Sequence, residues 1–287
     1  MSAAEVQRLW SVTTLIKAGL GSGDQLIGWA AGVTADRAID QATVLGGYLR
    51  QIREAREAGN AEVAANTRKA CHKWLTDARW ETLSDAAVRG VRVHKVLEAY
   101  ALGKQPDYPE EFEPYAQQVR QYLDDFKPEF VAAEAPVYNT TLGYAGTLDS
   151  IQRFNLPGVE LPLMVDCKST AWLPTDLTPG GRPKSRPPFP EIALQLVAYS
   201  RAEMMGVNAA QMYERNRRRY YTYDPALHYE PMPELGGALA LVVSPADYRL
   251  VPVRTDDEVW EAFGHVRETA RWQLDTSQRV LGPEVTP

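Results

Sequence analysis

The amino-acid sequence predicts an α/β protein in which helices surround a central group of strands. Strand-like hairpins rich in apolar and β-branched residues lie at residues 143–168 and 239–254. Amphipathic helical segments fill most of residues 1–128 and return at residues 191–205 and 256–280. The chain of 287 residues, 45% of them hydrophobic, is long enough to bury a substantial core around such a sheet.

The net charge and the number of cysteines limit the kinds of function and binding site that the sequence can support. The net charge is −6, so a nucleic-acid-binding role needs a local basic patch rather than a generally basic surface. The two cysteines, Cys71 and Cys167, are too few for a four-cysteine zinc or iron–sulfur site. No apolar run approaches the roughly 18 residues that span a membrane, so the expectation is a soluble, intracellular protein without a membrane partner.

Three regions are predicted along the chain. Residues 1–80 form a helical N-terminal region without recognisable chemistry, in which Ser11 or Thr13 caps a short first helix. Residues 81–281 form the core, and residues 282–287 are a loose tail. The whole chain is expected to be one compact domain.

The first candidate site residues lie on a helix predicted from Ser84 to about Leu102, after a separate helix at residues 61–78. His94 and Glu98 are four residues apart and therefore share a helix face. Such a pair can place a metal ligand beside the acid that orients it. It can equally be an ordinary pair on the helix surface or within the core.

The next candidate is an acid on a strand. Glu134 is a lone charge in the otherwise apolar segment 130–138, which reads as a strand after a helix at residues 110–128. Its side chain can face solvent, or it can support a metal site in the hairpin that follows.

That hairpin carries the strongest chemical signal. Asp166 and Lys168 point to one face of their strand and Cys167 points to the other, because side chains alternate along a strand. If Asp149 pairs near Asp166, two carboxylates and one ammonium converge, and oxygen ligands of this kind suit Mg²⁺ or Mn²⁺. The alternative is an ordinary surface hairpin with charged outward positions.

Two cationic segments supply the local basic patch. The proline-rich segment 172–190 is predicted to be a loop that contacts substrate, with a linker as the alternative. Residues 211–223 interleave arginine with tyrosine, a combination that pairs with phosphates and stacks on bases. The alternative for this second segment is a charged strand or loop whose arginines pair with nearby acids.

The helix predicted from Glu191 to Met205 follows the loop and stops at Gly206. Gln195 and Tyr199 are four residues apart and share a face. Taken alone, they are a polar pair on an amphipathic helix.

Taken in chain order, five of these features resemble the RecB-like exonuclease branch of the PD-(D/E)XK nuclease superfamily. The matching pieces are Gly90-x-x-x-His94-x-x-x-Glu98 on a helix, Glu134 on a strand, Gly146-Thr147-Leu148-Asp149, Val165-Asp166-Cys167-Lys168, and Gln195-Leu196-Val197-Ala198-Tyr199 on the following helix. Ser11-Val12-Thr13 and Trp29-Ala30 also resemble the N-terminal helical part of such proteins, particularly those encoded by actinobacterial phages. The resemblance spans residues 11 to about 254.

The resemblance implies a restriction-endonuclease-like core, with a central mixed sheet flanked by helices, after an N-terminal helical region. The ligands that it implies for Mg²⁺ or Mn²⁺ are His94, Asp149, Asp166 and the backbone carbonyl of Cys167. Asp149, Asp166, Lys168 and Glu134 form the implied catalytic set, in which Lys168 orients the attacking water and Glu134 supports the site. Some relatives bind an iron–sulfur cluster through four cysteines, and no such cluster is expected here.

The predicted function is hydrolysis of DNA by a metal-dependent exonuclease in phage DNA replication, recombination or repair. The residues predicted to contact the substrate are Gln195, Tyr199, Glu98, Arg182, Lys184, Arg186, Arg215, Arg217, Arg218, Arg219, Tyr220 and Tyr221. The expected partners are DNA, single-stranded or as duplex ends, and a helicase or recombinase, in the cytoplasm of a bacterial host. The alternatives are a nucleic-acid-binding module of the same fold with little catalysis, a structure-selective endonuclease, or an unrelated protein in which these residues are scattered.

Overall fold

The computed structural model describes residues 9–21, 24–171, 190–207, 211–215, 218–222 and 228–283. The chain forms two compact units, Ser22–Val88 and a larger unit that joins Met1–Gly21 to Arg89–Pro287. No helix among the described residues is both long enough and apolar enough to cross a membrane.

The smaller unit is helical, as residues 1–80 were predicted to be. It contains α2 (Asp24–Asp40), α3 (Ala42–Glu57) and the first part of α4 (Ala61–Ala101). Arg37 on α2 donates a hydrogen bond of 3.0 Å to the Trp74 carbonyl on α4, and the Trp74 ring lies 5.8 Å from that of Tyr48 on α3. These contacts tie the three helices together.

Helix α4 differs from the prediction of two helices separated before Ser84, because it runs unbroken for 41 residues. Residues 79–83 contain neither proline nor glycine, so nothing interrupts the backbone hydrogen-bond ladder there. Ser84 can cap a helix, but it lies within α4 because the backbone hydrogen bonds continue on both sides of it. Asn60 is the cap used, since its Oδ1 accepts from the Val63 amide at 3.1 Å.

The larger unit contains a mixed eight-stranded sheet with the strand order β10-β9-β4-β3-β2-β5-β8, and β1 pairs with β3 beside this path. The strands are β1 (Trp10–Ser11), β2 (Glu129–Asn139), β3 (Tyr144–Arg153), β4 (Leu163–Ser169), β5 (Met204–Val207), β8 (His228–Pro231), β9 (Gly237–Val243) and β10 (Tyr248–Val253). The β1–β3 and β4–β9 pairs are parallel, and the other pairs are antiparallel. The α/β class and the mixed sheet flanked by helices are thereby confirmed.

Helices cover both faces of this sheet. The α6-side core includes buried residues of α1 (Val12–Leu20), α6 (Glu191–Ser200) and α7 (Asp257–Leu274). The α5-side core includes buried residues of α5 (Glu113–Phe126), of the 3-10 turn before it (Glu110–Phe112) and of the C-terminal part of α4. A short 3-10 turn (Thr276–Arg279) follows α7. Each face therefore buries its own apolar layer.

One predicted helix start is confirmed, and one predicted helix end is wrong. Ser11 caps α1 by accepting from the Thr14 amide at 3.0 Å. Helix α6 ends at Ser200 instead of continuing to Met205, because Met204 and Met205 leave the helix to pair with β2. Pairing with an existing strand outweighs the local preference for helix at these two residues.

The segment 211–223 contains a two-stranded hairpin of its own, β6 (Gln211–Arg215) and β7 (Arg218–Thr222). Its backbone pairs Arg215 with Arg218 and Tyr213 with Tyr220. The hairpin gives the backbone conformation of these residues, and the predicted roles of their arginines and tyrosines stay predictions.

The sheet forks between β3 and β4, and this fork positions the candidate site. The two strands pair at residues 150–152 and 163–165, and further along β3 the short strand β1 pairs with Tyr144 and Ala145. Between these contacts, no strand of the described chain pairs with residues 146–149 on that edge of β3. β4 meanwhile continues along β9 as far as Ser169. Residues 146–149 and 166–169 therefore border a gap in the sheet.

The Glu203 carboxylate ties the β2–β3 turn to the start of β5. It accepts hydrogen bonds from the Thr140 amide at 2.9 Å, the Thr140 hydroxyl at 2.7 Å and the Thr141 amide at 3.2 Å. Hydrogen bonds from Thr141 and Thr140 lower the pKa of Glu203 from 4.5 to about 2. The carboxylate therefore stabilises the fold above its unfolded-state pKa, and this stabilisation is lost as pH falls through the folded-state value.

We expect Glu203→Gln to lower the melting temperature at about pH 7, where the ionised carboxylate is present in both states. The difference from wild type should shrink as pH falls below 4.5 towards about 2. Thermal unfolding followed by circular dichroism across this range measures it. Glu160→Gln, at an exposed position between β3 and β4, serves as the control. An equal loss at every pH would show that the charge is not what stabilises the turn.

Candidate metal centre

Three separate elements bring a histidine and two acids together at the fork. His94 on α4 places Nδ1 3.3 Å from Asp149 Oδ1 on β3 and 3.5 Å from Glu134 Oε1 on β2. One potential ligand atom from each residue lies within 4.8 Å of the other two. His94 is 8% exposed and Glu134 is 3% exposed, so the group is shielded from water. This is the spacing of side chains that can share one cation.

The backbone of Glu134 is unusual at the point where it joins this group. Its φ angle is +47°, in the left-handed region that non-glycine residues seldom occupy. Ala133 pairs with Ser150 and Ala135 pairs with Leu148, so Glu134 lies opposite Asp149 in the register of the two strands. Backbone conformations of this kind cost about 1–3 kcal/mol and cluster at functional sites.

Asp149 also helps to form the fork itself. Its Oδ2 accepts a hydrogen bond of 2.7 Å from the Cys167 amide on β4. The carboxylate takes the place of the strand pairing that ends at Ser150. The other oxygen, Oδ1, remains directed at His94. One side chain therefore both satisfies a backbone donor at the gap and contributes to the ligand group.

Asp166 and Lys168 meet on the α6 side of the sheet. The Lys168 ammonium forms an ion pair with Asp166 Oδ2, and Gln195 Nε2 on α6 donates to Asp166 Oδ1 at 3.0 Å. The Cys167 thiol lies on the other face, within the α5-side core. The predicted division of these three residues between two faces is therefore confirmed.

Opposite charges stabilise the cluster of buried groups at the fork. Burial disfavours the imidazolium, but Asp149 and Glu134 outweigh it and raise the pKa of His94 to about 10. Burial opposes ionisation of Asp149 as well, and the nearby His94 charge nevertheless lowers its pKa. Burial raises the pKa of Asp166, an effect that Lys168 only partly offsets. The protonated imidazole thus occupies the electrostatic role that a divalent cation would take.

The residues present fit a divalent cation. Asp166 Oδ2 is buried and accepts no hydrogen bond from the described part of the chain, although the Lys168 ammonium lies in ion-pair contact with it. Two carboxylates and one imidazole form the compact ligand group. Such an oxygen-rich donor set suits Mg²⁺ or Mn²⁺ better than a thiolate-seeking metal.

The structure groups the predicted ligands differently from the sequence. His94 and Asp149 lie together as predicted, but the third member of the compact ligand group is Glu134, which was assigned a supporting role. Asp166 was predicted to be a ligand, and here its carboxylate is bound by Lys168 and Gln195. Position in the sequence did not show how close Glu134 comes to the imidazole, because that distance depends on how α4 packs across the sheet.

The remaining predicted site residues fall into three groups. Glu98 is buried and lines a small cavity together with His94, Glu134 and Asp149. Tyr199 is buried against Gly146, where a β-carbon would lie 2.4 Å from the Tyr199 ring. Arg182, Lys184, Arg186 and Arg217 lie outside the described residues, while Arg215, Arg218, Arg219, Tyr220 and Tyr221 lie on the β6–β7 hairpin, of which the structure describes the backbone. Their substrate-contacting roles stay predictions.

A buried polar chain below the fork was missed by the sequence analysis. The Tyr122 hydroxyl on α5 donates to the Gln152 side-chain carbonyl, and Gln152 Nε2 donates to Ser150 Oγ at 2.8 Å. Ser150 Oγ then donates to the Val165 carbonyl at 3.1 Å. The chain fastens β3 to β4 just before they separate. The only signal in the sequence is the pair of polar residues, 150 and 152, on one face of a strand that is otherwise rich in buried residues.

Comparison with known proteins does not place this chain. No protein-family model matches the sequence, and no curated protein is similar to it at a significant level. The resemblance to RecB-like nucleases therefore stays a prediction from its motifs.

We expect Mn²⁺ to raise the melting temperature of the wild-type protein, and Glu134→Gln or Asp149→Asn to remove most of that rise. Each substitution takes one anionic oxygen from the ligand group but keeps the side chain's size. A ligand at a hundredfold excess over its Kd stabilises a fold by about 2.7 kcal/mol, which thermal denaturation with and without EDTA detects.

Glu98→Gln is the matched control for this experiment, because Glu98 is a buried acid on the same cavity that lies outside the ligand group. It should keep most of the Mn²⁺ response. Equal responses in wild type, Glu134→Gln and Asp149→Asn would show that the cation binds elsewhere.

We expect Gly146→Ala to destabilise the protein by about 1–3 kcal/mol, because its methyl group would overlap the Tyr199 ring. Tyr199→Leu should relieve the overlap, so that the double variant loses less than the sum of the two single changes. Urea unfolding of the four proteins measures the coupling. Strict additivity would mean that the ring does not rest on Gly146 in solution.

Proposed function

We propose that this protein is a metal-dependent nuclease that hydrolyses DNA phosphodiester bonds and acts as an exonuclease. The observation that carries the proposal is the convergence of His94, Glu134 and Asp149 at the fork. Asp166 and Lys168 lie across the same gap, within electrostatic reach of Asp149. Residues from one helix and three strands supply a buried acidic centre with one adjoining cation.

His94, Glu134, Asp149 and Asp166 are the residues that would hold Mg²⁺ or Mn²⁺. A bound divalent ion polarises the phosphoryl group and lowers the pKa of an attacking water. Asp149 and Glu134 favour the protonated imidazole and raise the pKa of His94 to about 10. A histidine nitrogen binds a cation only in its unprotonated form, so cation binding at Nδ1 would be accompanied by release of a proton.

Lys168 is the residue best placed to meet the substrate. Its side chain is 40% exposed, whereas the Asp166 carboxylate that it contacts is 3% exposed. The ammonium therefore lies at the boundary between the buried acids and solvent. From there it can compensate the negative charge that develops on a phosphate and orient a water molecule.

Gln195 positions Asp166 for this chemistry. Its amide donates to Oδ1 and leaves Oδ2 on the side of Lys168. Helix α6 holds Gln195 rigidly, because the neighbouring Leu196 and Val197 are fully buried in the α6-side core. Catalytic groups held on rigid elements lose little freedom when the substrate binds.

Two further features support nucleic acid as the substrate class. The motifs at the fork are those that resemble RecB-like nucleases, and their chain order matches. The segments 172–190 and 211–223 add arginine, lysine and tyrosine to a chain whose net charge is −6. Phosphate contacts by arginine and base stacking by tyrosine bind single strands without reading sequence.

We expect the protein to degrade end-labelled linear DNA in the presence of Mn²⁺ or Mg²⁺, and EDTA to abolish this activity. Asp149→Asn and Asp166→Asn should remove it, and Lys168→Ala should lower the rate by about 10²–10³-fold, the loss typical for removal of one preorganised charge. Gel analysis of labelled products measures each rate. Arg153→Gln, an exposed change at the far end of β3, is the matched control.

Comparison of linear with circular DNA distinguishes an exonuclease from an endonuclease. Linear DNA degraded to short products while closed circles stay intact supports an exonuclease, and cutting of circles supports an endonuclease. Binding of DNA by all variants without cleavage by wild type would indicate a binding module. Undiminished cleavage by both aspartate variants, purified in the same way, would attribute the activity to a contaminant and refute the proposal.

A further inference from the structure

Arg249, on β10, has two buried side-chain nitrogens that lack a hydrogen bond among the described residues. In the described part of the chain, the buried side-chain nitrogens and oxygens that lack a hydrogen bond are Asp166 Oδ2, Arg89 Nε, and Arg249 Nε and Nη2. Two of these four atoms belong to Arg249. Burial of a charged donor without a hydrogen-bond partner is unfavourable.

Strand pairing places Arg249 on the same face of the sheet as the fork. Arg249 on β10 pairs with Val242 on β9, and Val242 also pairs with Lys168 on β4. Directly paired residues project from the same side of a sheet. Val242 belongs to the α6-side core, which identifies that side. Arg249 therefore lies beside Lys168 at a separation of two strand spacings, about 10 Å between Cα atoms.

The acids nearest in the chain are already engaged. Asp166 is bound by Lys168 and Gln195. Asp247 accepts from the Tyr248 amide at 2.7 Å. Asp256 and Glu258 both pair with Arg254. Each of these four carboxylates therefore has a partner other than Arg249.

The positions of these two nitrogens also indicate the shape of an anion that Arg249 can bind. Nε and Nη2 form one edge of the planar guanidinium, where two N–H bonds point in parallel. That edge binds two oxygens of one tetrahedral or carboxylate anion at once. A phosphate diester, with two non-bridging oxygens, matches it.

We propose that Arg249 binds a phosphate of the nucleic-acid backbone that flanks the scissile phosphate. This assignment rests on the proposed nuclease function, since the flanking position is defined relative to Lys168. The Lys168 ammonium is held at Asp166, and Arg249 lies two strands away on the same face, so Arg249 is assigned to a different phosphate from the one that Lys168 meets. Arg249 therefore sets the register of the strand on the site, and it does not take part in the chemical step.

The first test needs no enzymatic activity. Inorganic phosphate, compared with chloride at equal ionic strength and in EDTA, should raise the melting temperature of wild type but not of Arg249→Met. Methionine keeps an apolar stem and removes the unpaired charge, so the variant without phosphate should melt at or above the wild-type temperature. Arg153→Gln should behave like wild type.

The second test measures the contact on DNA. We expect Arg249→Met to bind a labelled single-stranded oligonucleotide in EDTA about tenfold more weakly than wild type. The slope of log affinity against log salt should fall by roughly 0.7, the change for one phosphate contact on a single strand. Arg249→Lys should keep the slope, because the charge remains, but lose affinity because the bidentate edge is gone. The Mn²⁺-induced stabilisation should not change in either variant.

The outcomes separate this proposal from the nuclease proposal. DNA cleavage by wild type, with unaltered binding and salt slope in Arg249→Met, refutes the role of Arg249 and leaves the nuclease intact. A phosphate response that depends on Arg249, without DNA binding or cleavage, supports an anion site and refutes the nuclease. A lowered melting temperature in Arg249→Met with a normal phosphate response shows that the side chain is only structural. A wild type that responds to neither phosphate nor oligonucleotide also refutes the proposal.

Discussion

The hydrogen bond between the Asp149 carboxylate and the Cys167 amide is the interaction on which the candidate centre depends. Two neighbouring strands can separate inside a sheet only if the backbone groups left at the gap find other partners. Asp149 supplies such a partner from its own side chain. Because the strands part there, groups from both faces of the sheet can reach one another through the gap, which a continuous sheet would keep apart.

The centre combines charges that would not be stable together without compensation. His94 lies in ion-pair contact with Glu134 and Asp149, and Lys168 lies in ion-pair contact with Asp166. All three carboxylates are shielded from water. Buried charge is tolerated only where opposite charge and hydrogen bonds are arranged around it. The left-handed backbone of Glu134 is a local conformational cost at this centre. Native proteins accept such local costs where a ligand is bound.

The surroundings of the centre give it rigidity. On the α5 side, the chain from Tyr122 through Gln152 and Ser150 fastens the two strands just before they part. On the α6 side, Tyr199 rests on Gly146 and Gln195 holds Asp166. Geometry that is held from both faces in this way needs little reorganisation when a cation or a phosphate arrives. Arg249 lies two strands away from Lys168 on the same face of the sheet. Its buried Nε and Nη2 atoms lack a hydrogen bond among the described residues.

Much of the fold followed from local patterns. Alternation placed Asp166 and Lys168 on one face and Cys167 on the other, and the caps at Ser11 and Asp256 are side-chain hydrogen bonds that their own sequence neighbours permit. Local patterns failed where a distant contact decided the outcome. Met204 and Met205 follow a helical segment but pair with β2, and α4 continues through a serine that could have begun a new helix.

The sequence by itself determined which residue types are present for metal and phosphate chemistry, and on which kind of element each lies, because side-chain periodicity is a property of the local backbone. Only the tertiary structure decided that Glu134 joins His94 and Asp149 and that Asp166 is held by Lys168 and Gln195. It also decided that Arg249 lies on the same face as Lys168, with two buried nitrogens that lack a hydrogen bond among the described residues. Those distances depend on strand order, on register and on the packing of α4 and α6 against the sheet. Residues far apart in the chain meet through these features, and no local pattern encodes them.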